Sequence, residues 1–430
     1  MRRTIGKLFI ALLVLLALYL LVLWTEWFPL STSAGKKAVA IMSAPLPPIA
    51  ADKNAFSEIW LFAYDIPEAD KTKIMAADIK HYLNFHDDMK YGSSAEGKYP
   101  KFEDGENLLC KPKQESCIGQ IRSNKEKYEQ FFAKNEKLVN KASAITKFRI
   151  SRSEFRPHIY TPLANFPEVF NWQLTTAAYW HVQGKHVEGI DLACRTAASW
   201  RSMAQNSHGL IDQMVGQSFY SSVTALTSEL LSETPPELDL PASCTEAYLP
   251  VVSRKFPICH SMKIEFQTLL NATESVAAGE RPAYFPLGRQ SWLDKVEALW
   301  FNKRASKETF ALGYVDQCSD DKEIMEEIGK PKEAFWNEMS LTEVGFNPVG
   351  SILASMTRGS YSDYANRIGN LSLTQQAMQA VFLKRAENNG LENQNKNLRF
   401  SPDLQAIEVD LYRSPGKTDL LRLPLTNTKP

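Results

Sequence analysis

The densest group of residues able to bind a metal or carry a proton is His181, His186, Glu188 and Asp191. Two imidazoles and two carboxylates are the right types for either task. Their spacing argues otherwise. Five residues apart on one α-helix, the two rings point about 140° from each other, and Gly184-Lys185 breaks the helical pattern between them. The reading is a helix-turn-helix junction with polar residues at its turn.

Three further clusters are weighed in the same way. His81, His86, Asp87 and Asp88 close a helical stretch, where imidazoles complement the C-terminal end of the dipole and the aspartates suit a solvated loop. Asp320, Asp321, Glu323, Glu326 and Glu327 open another, as carboxylates do at an N-terminal turn, and their spacing matches no calcium loop. Arg152, Arg156, His158 and Tyr160, in SRSEFRPHIYTP, combine cations with aromatic rings. They are the candidate ligand-binding residues, suited to an anionic lipid headgroup or glycan. The competing reading is an inter-helix loop with ordinary surface charge.

The chain has no Gly-x-Ser-x-Gly elbow, His-Glu-x-x-His, P-loop or dinucleotide fingerprint. No catalytic, cofactor-binding or metal-ligating residue is assigned, and no cofactor is expected. Catalytic triads are assembled in space, so an enzyme is not excluded on this ground.

The elements that must position these residues are mostly helices. Phe170, Leu174, Ala177 and His181 recur at helical spacing; Ile190, Cys194 and Ala197 begin a second stripe; Ile211 to Leu230 carry a third, with Ser207 as its cap. Short connections predict three antiparallel helices. The first pair superficially resembles a tetratricopeptide unit, but no second copy recurs at a fixed period, so an irregular multi-helix array is expected. Ser291 with Asp294 and Ser372 with Gln375 form capping-box patterns, and Asn389-Gly390 ends the last helix. Alternation of Ile407, Val409 and Leu411 with Glu408 and Asp410, ahead of Ser414-Pro415-Gly416, predicts a small C-terminal β-hairpin.

Leu8 to Trp24 is an unbroken apolar run behind Arg2, Arg3 and Lys7. It approaches the roughly 20 residues that cross a bilayer, and the basic flank holds the N-terminus in the cytoplasm. No well-placed small-x-small site follows closely, so an uncleaved anchor is preferred to a removed signal peptide. The organisation is therefore a cytoplasmic tail and transmembrane anchor (1–28), a Pro/Ala/Ser-rich tether (29–55), an exported α-helical domain (56–392) and a C-terminal hairpin and tail (393–430). An extended tether reaches on the order of 80 Å, enough to lift the domain clear of the membrane.

The cysteines agree with export. Six occur, with no Cys-x-x-Cys pattern. Sequence proximity pairs Cys110 with Cys117 and Cys244 with Cys259, each bridge contributing roughly 2.5–3 kcal/mol through loop closure. Cys194, on an apolar helical face, reads as a buried free thiol, and Cys318 has no assigned role. Lys plus Arg (49) balances Asp plus Glu (49), which speaks against a nucleic-acid partner.

The phrase NPVGSILASM from Asn347, followed by Tyr361, Tyr364 and Arg367, resembles uncharacterised membrane-anchored proteins of Gram-negative bacteria. The resemblance implies an inner-membrane anchor with a periplasmic domain and carries no activity. Three functions follow. The leading one is a non-enzymatic binding, scaffold or accessory protein of the cell envelope with a protein partner. The second is an envelope enzyme acting on peptidoglycan, lipid or glycan, which requires a cleft where carboxylates or a histidine converge with perturbed pKa values. The third is a lumenal protein of a eukaryotic secretory pathway, glycosylated at Asn271 and Asn370.

Overall fold

In a computed structural model, the placed residues are 2–25, 31–83, 92–102, 105, 107–111, 116–159, 161–206, 209–250, 256–277, 300–328, 345–357, 362–386, 398–403, 405–414 and 416–425. The capping pair at 291–294, Ser207, Tyr160, His86 to Asp88 and Asn389-Gly390 lie outside them.

The protein is mainly α-helical, with a small C-terminal antiparallel sheet. The first helix, α1 (Arg2–Thr25), contains an apolar window, Ile5–Val22, that is not buried against the rest of the chain. It is long and apolar enough to cross a membrane. The next element corrects the expectation of an extended tether. Residues 33–43 form α2 (Ser33–Ser43), capped by Thr32, with Ala34, Gly35, Ala38 and Met42 buried. The small residues that made this stretch look featureless are what allow α2 to pack closely against the domain.

Short helices α3 (Phe56–Trp60) and α4 (Glu68–Leu83) follow. They are joined through buried Asp78, which accepts hydrogen bonds from Trp60 Nε1 (2.8 Å), Ser93 Oγ (2.6 Å) and Ser94 N (2.7 Å). Then come α5 (Cys117–Ser123), α6 (Lys125–Lys134) and α7 (Glu136–Ile145).

The centre of the fold is the antiparallel trio α8 (Phe166–Val182), α9 (His186–Gln205) and α10 (Leu210–Ser232). Glycines set their close approach: a Cβ at Gly189 would lie 2.7 Å from Ala177 O, and one at Gly216 would lie 3.0 Å from Ala204 Cβ. Aromatic rings fill the remaining space. Phe170 stacks on Phe219 with centroids 4.0 Å apart, and Trp200 meets both edge-on while donating to Gln173 Oε1 at 2.8 Å.

Among the described residues the array continues with α11 (Ala242–Ala247), α12 (Phe256–Ala277), α13 (Lys303–Tyr314), α14 (Lys322–Ile328) and α15 (Pro348–Thr357). The last, α16 (Ser362–Arg385), runs unbroken through Ser372. Ser372 is therefore mid-helix, and its hydroxyl accepts from Gln376 Nε2 at 2.9 Å instead of capping.

The hairpin is present and acquires a third strand. β1 (Leu398–Phe400), β2 (Ala406–Ser414) and β3 (Lys417–Pro424) form an antiparallel sheet in that order. Gly416 takes φ +70° at the turn, a conformation that favours glycine. β1 pairs only with residues 407–409. Beyond it, Asn370 of α16 pairs with the β2 backbone, donating to Tyr412 O (2.7 Å) and accepting from Tyr412 N (2.8 Å).

Two cysteine assignments change. Cys110–Cys117 forms as expected, but Cys194 pairs with Cys244 and Cys259 with Cys318. Cys194 is thus not a free thiol and Cys244 does not pair with Cys259. The bridges join α9 to α11 and α12 to the turn after α13, linking segments that meet only once the helices have packed.

Candidate functional site

A cleft of about 990 Å³ opens where α10, α16, the first disulfide loop and the C-terminal sheet meet. Its floor is α10, which turns Ser218, Ser221, Ser222, Ala225 and Glu229 toward it at helical spacing. Small hydroxyls here leave room that leucines would fill. The Cys110–Cys117 bridge shapes one wall. It folds Lys111 and Ser116 over α10, and the Cys110 amide is anchored on Thr175 Oγ1 at 2.8 Å. β3 and the end of β2 form the opposite wall, with Ser228 Oγ holding Pro424 O at 2.7 Å.

Charge is concentrated in this cleft. Ser116 both caps α5, accepting from Gly119 N at 3.0 Å, and donates to Glu229 Oε1. Burial raises the Glu229 carboxyl above the ordinary range, and the neighbouring Glu233 charge adds to this against the Ser116 bond and Arg122. Glu233, one turn later, is also pushed upward by burial. The hydrogen bond and charge of Arg122, with His181, outweigh that and hold it below the ordinary value. Arg122 reaches Glu233 through Nη1 at 3.2 Å and Nη2 at 2.5 Å. Two carboxyls on adjacent turns of one helix are thereby driven apart in acidity.

Behind Glu233 stand the two histidines read from sequence as a plain junction. His181, 1% exposed, places Nε2 3.2 Å from Glu233 Oε2. His186 Nδ1 lies 3.1 Å from His181 Nδ1. With Glu233 ionised, the consistent tautomers have His181 Nε2–H donating to the carboxylate and His186 Nδ1–H donating to His181 Nδ1. Burial, followed by the repulsion of His186, depresses the His181 pKa. Asp191 is engaged elsewhere, with Arg195 Nε at 2.7 Å and Ser243 Oγ at 2.7 Å. Among the described residues, no group of three or more His, Cys, Asp or Glu is placed to hold a metal ion.

The cations of the cleft differ in their partners. Arg122 is paired with Glu233, Arg413 with Asp419 at 3.5 Å, and Arg422 with Asp403 at 3.4 Å. Arg367 lies over the Tyr364 ring at 5.5 Å, its carbonyl accepts from Gln217, and its buried Nε has no hydrogen-bond acceptor among the described residues. Sequence reading did not select Ser116, Glu229, Glu233 or Arg122. The detectable signal was Glu229 and Glu233 at i,i+4, closing the apolar and hydroxyl-bearing second half of α10.

The residues favoured from sequence are not brought into one site. Arg152 donates through Nη1 to Pro47 O at 2.6 Å, and its amide donates to Asn54 Oδ1 at 2.8 Å, pinning the segment after α2. Arg156 instead ties the loop to α12 through Asn271 Oδ1 (2.9 Å) and Glu274 Oε2 (2.7 Å). His158 is half-buried, and burial followed by the Arg156 charge lowers its pKa. The acidic start of α14 behaves as read: Asp321 Oδ1 accepts from Glu323 N and Ile324 N at 3.1 and 3.2 Å. Asn370 is 6% exposed and bound to β2, so it is a poor glycan acceptor in the folded chain.

No protein-family model, curated protein or solved structure matches the chain.

Proposed function

We propose that this protein is a membrane-tethered, non-enzymatic binding or accessory protein of the bacterial cell envelope. Its cleft takes an acidic segment of a protein partner. The N-terminus lies in the cytoplasm and the helical domain in the periplasm. The observation that carries the reading is Arg367: it lines the hydroxyl-floored cleft and, among the described residues, has no carboxylate paired with its guanidinium, while Arg122, Arg413 and Arg422 each have one. An incoming carboxylate would complete it, as arginine is well suited to do. The apolar α1 and three disulfides support an exported, anchored chain. Such an arrangement suits a neutraliser of an envelope-acting toxin as well as a component of a secretion machine.

The test is in-cell photocrosslinking of the full-length protein from a probe at Ser222, followed by mass spectrometry. A stoichiometric envelope protein should be captured, and its yield should fall at least several-fold in Arg367→Glu but not in Val187→Glu. Capture that ignores Arg367→Glu, or recovery of the chain alone, counts against the reading.

One observation favours a second reading, an envelope enzyme acting on peptidoglycan, lipid or glycan. Glu229, kept protonated to higher pH, neighbours ionised Glu233, and a proton donor beside an acceptor is the arrangement general acid–base catalysis uses. It requires turnover of such a polymer or lipid by purified protein, abolished by Glu229→Gln.

A further inference from the structure

Helix α15 is built inside out. Its fully buried positions are small or polar: Asn347 (2% exposed), Gly350, Ser351 and Ala354. They face α13, where Asn347 Oδ1 accepts from Asn302 N at 2.8 Å and Ser306 Oγ at 3.1 Å. A Cβ at Gly350 would collide with Ser306 Oγ. Its larger apolar side chains are less covered, Val349 and Leu353 touching the core on one side only. Phe346, Pro348, Val349 and Leu353 are only half-buried, and Ile352 is 36% exposed. A helix on a water-facing surface normally shows the reverse pattern. Small residues toward protein and large apolar ones outward are the pattern of an element bordering lipid.

Two further observations fix where this face lies. Tyr19 of α1 donates its hydroxyl to Gly345 O at 2.6 Å, and its ring lies 5.7 Å from that of Phe346. Tyr19 belongs to the apolar window Ile5–Val22 and sits six residues before the end of α1, about 9 Å along the helix axis. The start of α15 therefore stands at the depth where acyl chains meet headgroups. Independently, the chain re-enters the domain soon after the anchor ends. Ser31 Oγ donates to Glu308 Oε1 at 2.6 Å and Thr32 N to Glu308 Oε2 at 3.0 Å. Six residues beyond Thr25 reach at most about 20 Å, so α13, which carries Glu308 and supports α15, is held close to the bilayer.

We infer that Phe346 to Leu353 is seated in the outer boundary of the lipid bilayer, against the anchor. The domain therefore rests on the membrane rather than hanging from a tether. This rests on α1 spanning the membrane. The occupant of the exposed face is lipid, because the face begins at the level of the anchor's own apolar window. An amphipathic element lying in this plane with Val, Ile, Leu and Phe toward the acyl chains gains from burying them.

The test uses the full-length protein in lipid nanodiscs, with a photoreactive benzoylphenylalanine in place of Ile352, Leu12 or Val187 in turn. Protection of the six cysteines from alkylation verifies folding in each variant. Lipid adducts several-fold above the Val187 control are expected at both Leu12 and Ile352. Adducts at Leu12 with none at Ile352, or protein-only crosslinks at Ile352, overturn the inference while leaving the anchor intact. No adduct at Leu12 removes the spanning anchor itself, and the inference with it.

Discussion

The Nδ1 atoms of His181 and His186 lie 3.1 Å apart across the turn between α8 and α9. Around a single helix axis the two rings diverge, but Gly184, at φ +79°, reverses the chain. The last turn of one helix then faces the first turn of the next. The pair shares one proton between the two facing nitrogens, and charging His181 is opposed by burial and by its neighbour His186.

This gives a signed pH dependence. The His181 pKa is lowered on folding, so below the unfolded value near 6.5 the unfolded chain binds more protons. The stabilisation is fully present above pH 6.5 and is lost as pH falls from there toward the folded value, by at most about 1.4 kcal/mol per pH unit. Thermal melts between pH 8 and 5 should show this slope, and His181→Gln should flatten it. An unchanged slope in the variant would show that other groups govern it.

Asp212 predicts the opposite sense. Burial pushes its carboxyl up to about 7, aided by Glu265 and opposed by the Gly209 amide. A raised carboxyl costs nothing below pH 3.8, and its penalty grows as pH rises to about 7. Asp212→Asn should therefore gain on the order of 1 kcal/mol at pH 8 and nothing near pH 4. The comparison is made by denaturant unfolding at both values.

The disulfide pairing is checked by non-reducing peptide mapping, which should recover 194–244 and 259–318 linkages. A 244–259 peptide would contradict the fold. Replacing Cys194 and Cys244 together by alanine opens a bridge of sequence separation 50, worth up to about 4 kcal/mol in loop entropy. Replacing Cys110 and Cys117 opens one of separation 7, worth about 2.5 kcal/mol. The first variant should have the lower Tm, although the second disturbs the cleft more.

Two glycines should respond to alanine with opposite signs. Gly189→Ala pushes a methyl group against Ala177 O and should cost about 1–3 kcal/mol. Gly369 lies in α16 with nothing within 4 Å of a Cβ, so Gly369→Ala should gain about 0.5–1 kcal/mol from helix propensity. Equal effects from the two would mean that α8 and α9 do not cross this closely.

What the sequence determined by itself is local. The unbroken apolar run from Leu8 set the length of α1, the 3.6-residue period marked α8 to α10, and alternation around Val409 marked the hairpin. These signals are contained within one element, so one element's residues suffice to read them. The tertiary structure decided whatever depends on which elements meet. It paired Cys194 with Cys244 across fifty residues, turned His181 toward His186, and brought Ser116 onto Glu229 and Arg122 onto Glu233. It also drew the small-residue stretch 33–43 into a packed helix, because eleven residues are too few to hold a helix alone and Ala34, Gly35 and Ala38 are small enough to let α13 supply the facing surface. Local preferences are a few tenths of a kcal/mol per residue, and burial against a partner helix outweighs them. The cleft arises from that packing, through contacts between elements far apart in the chain.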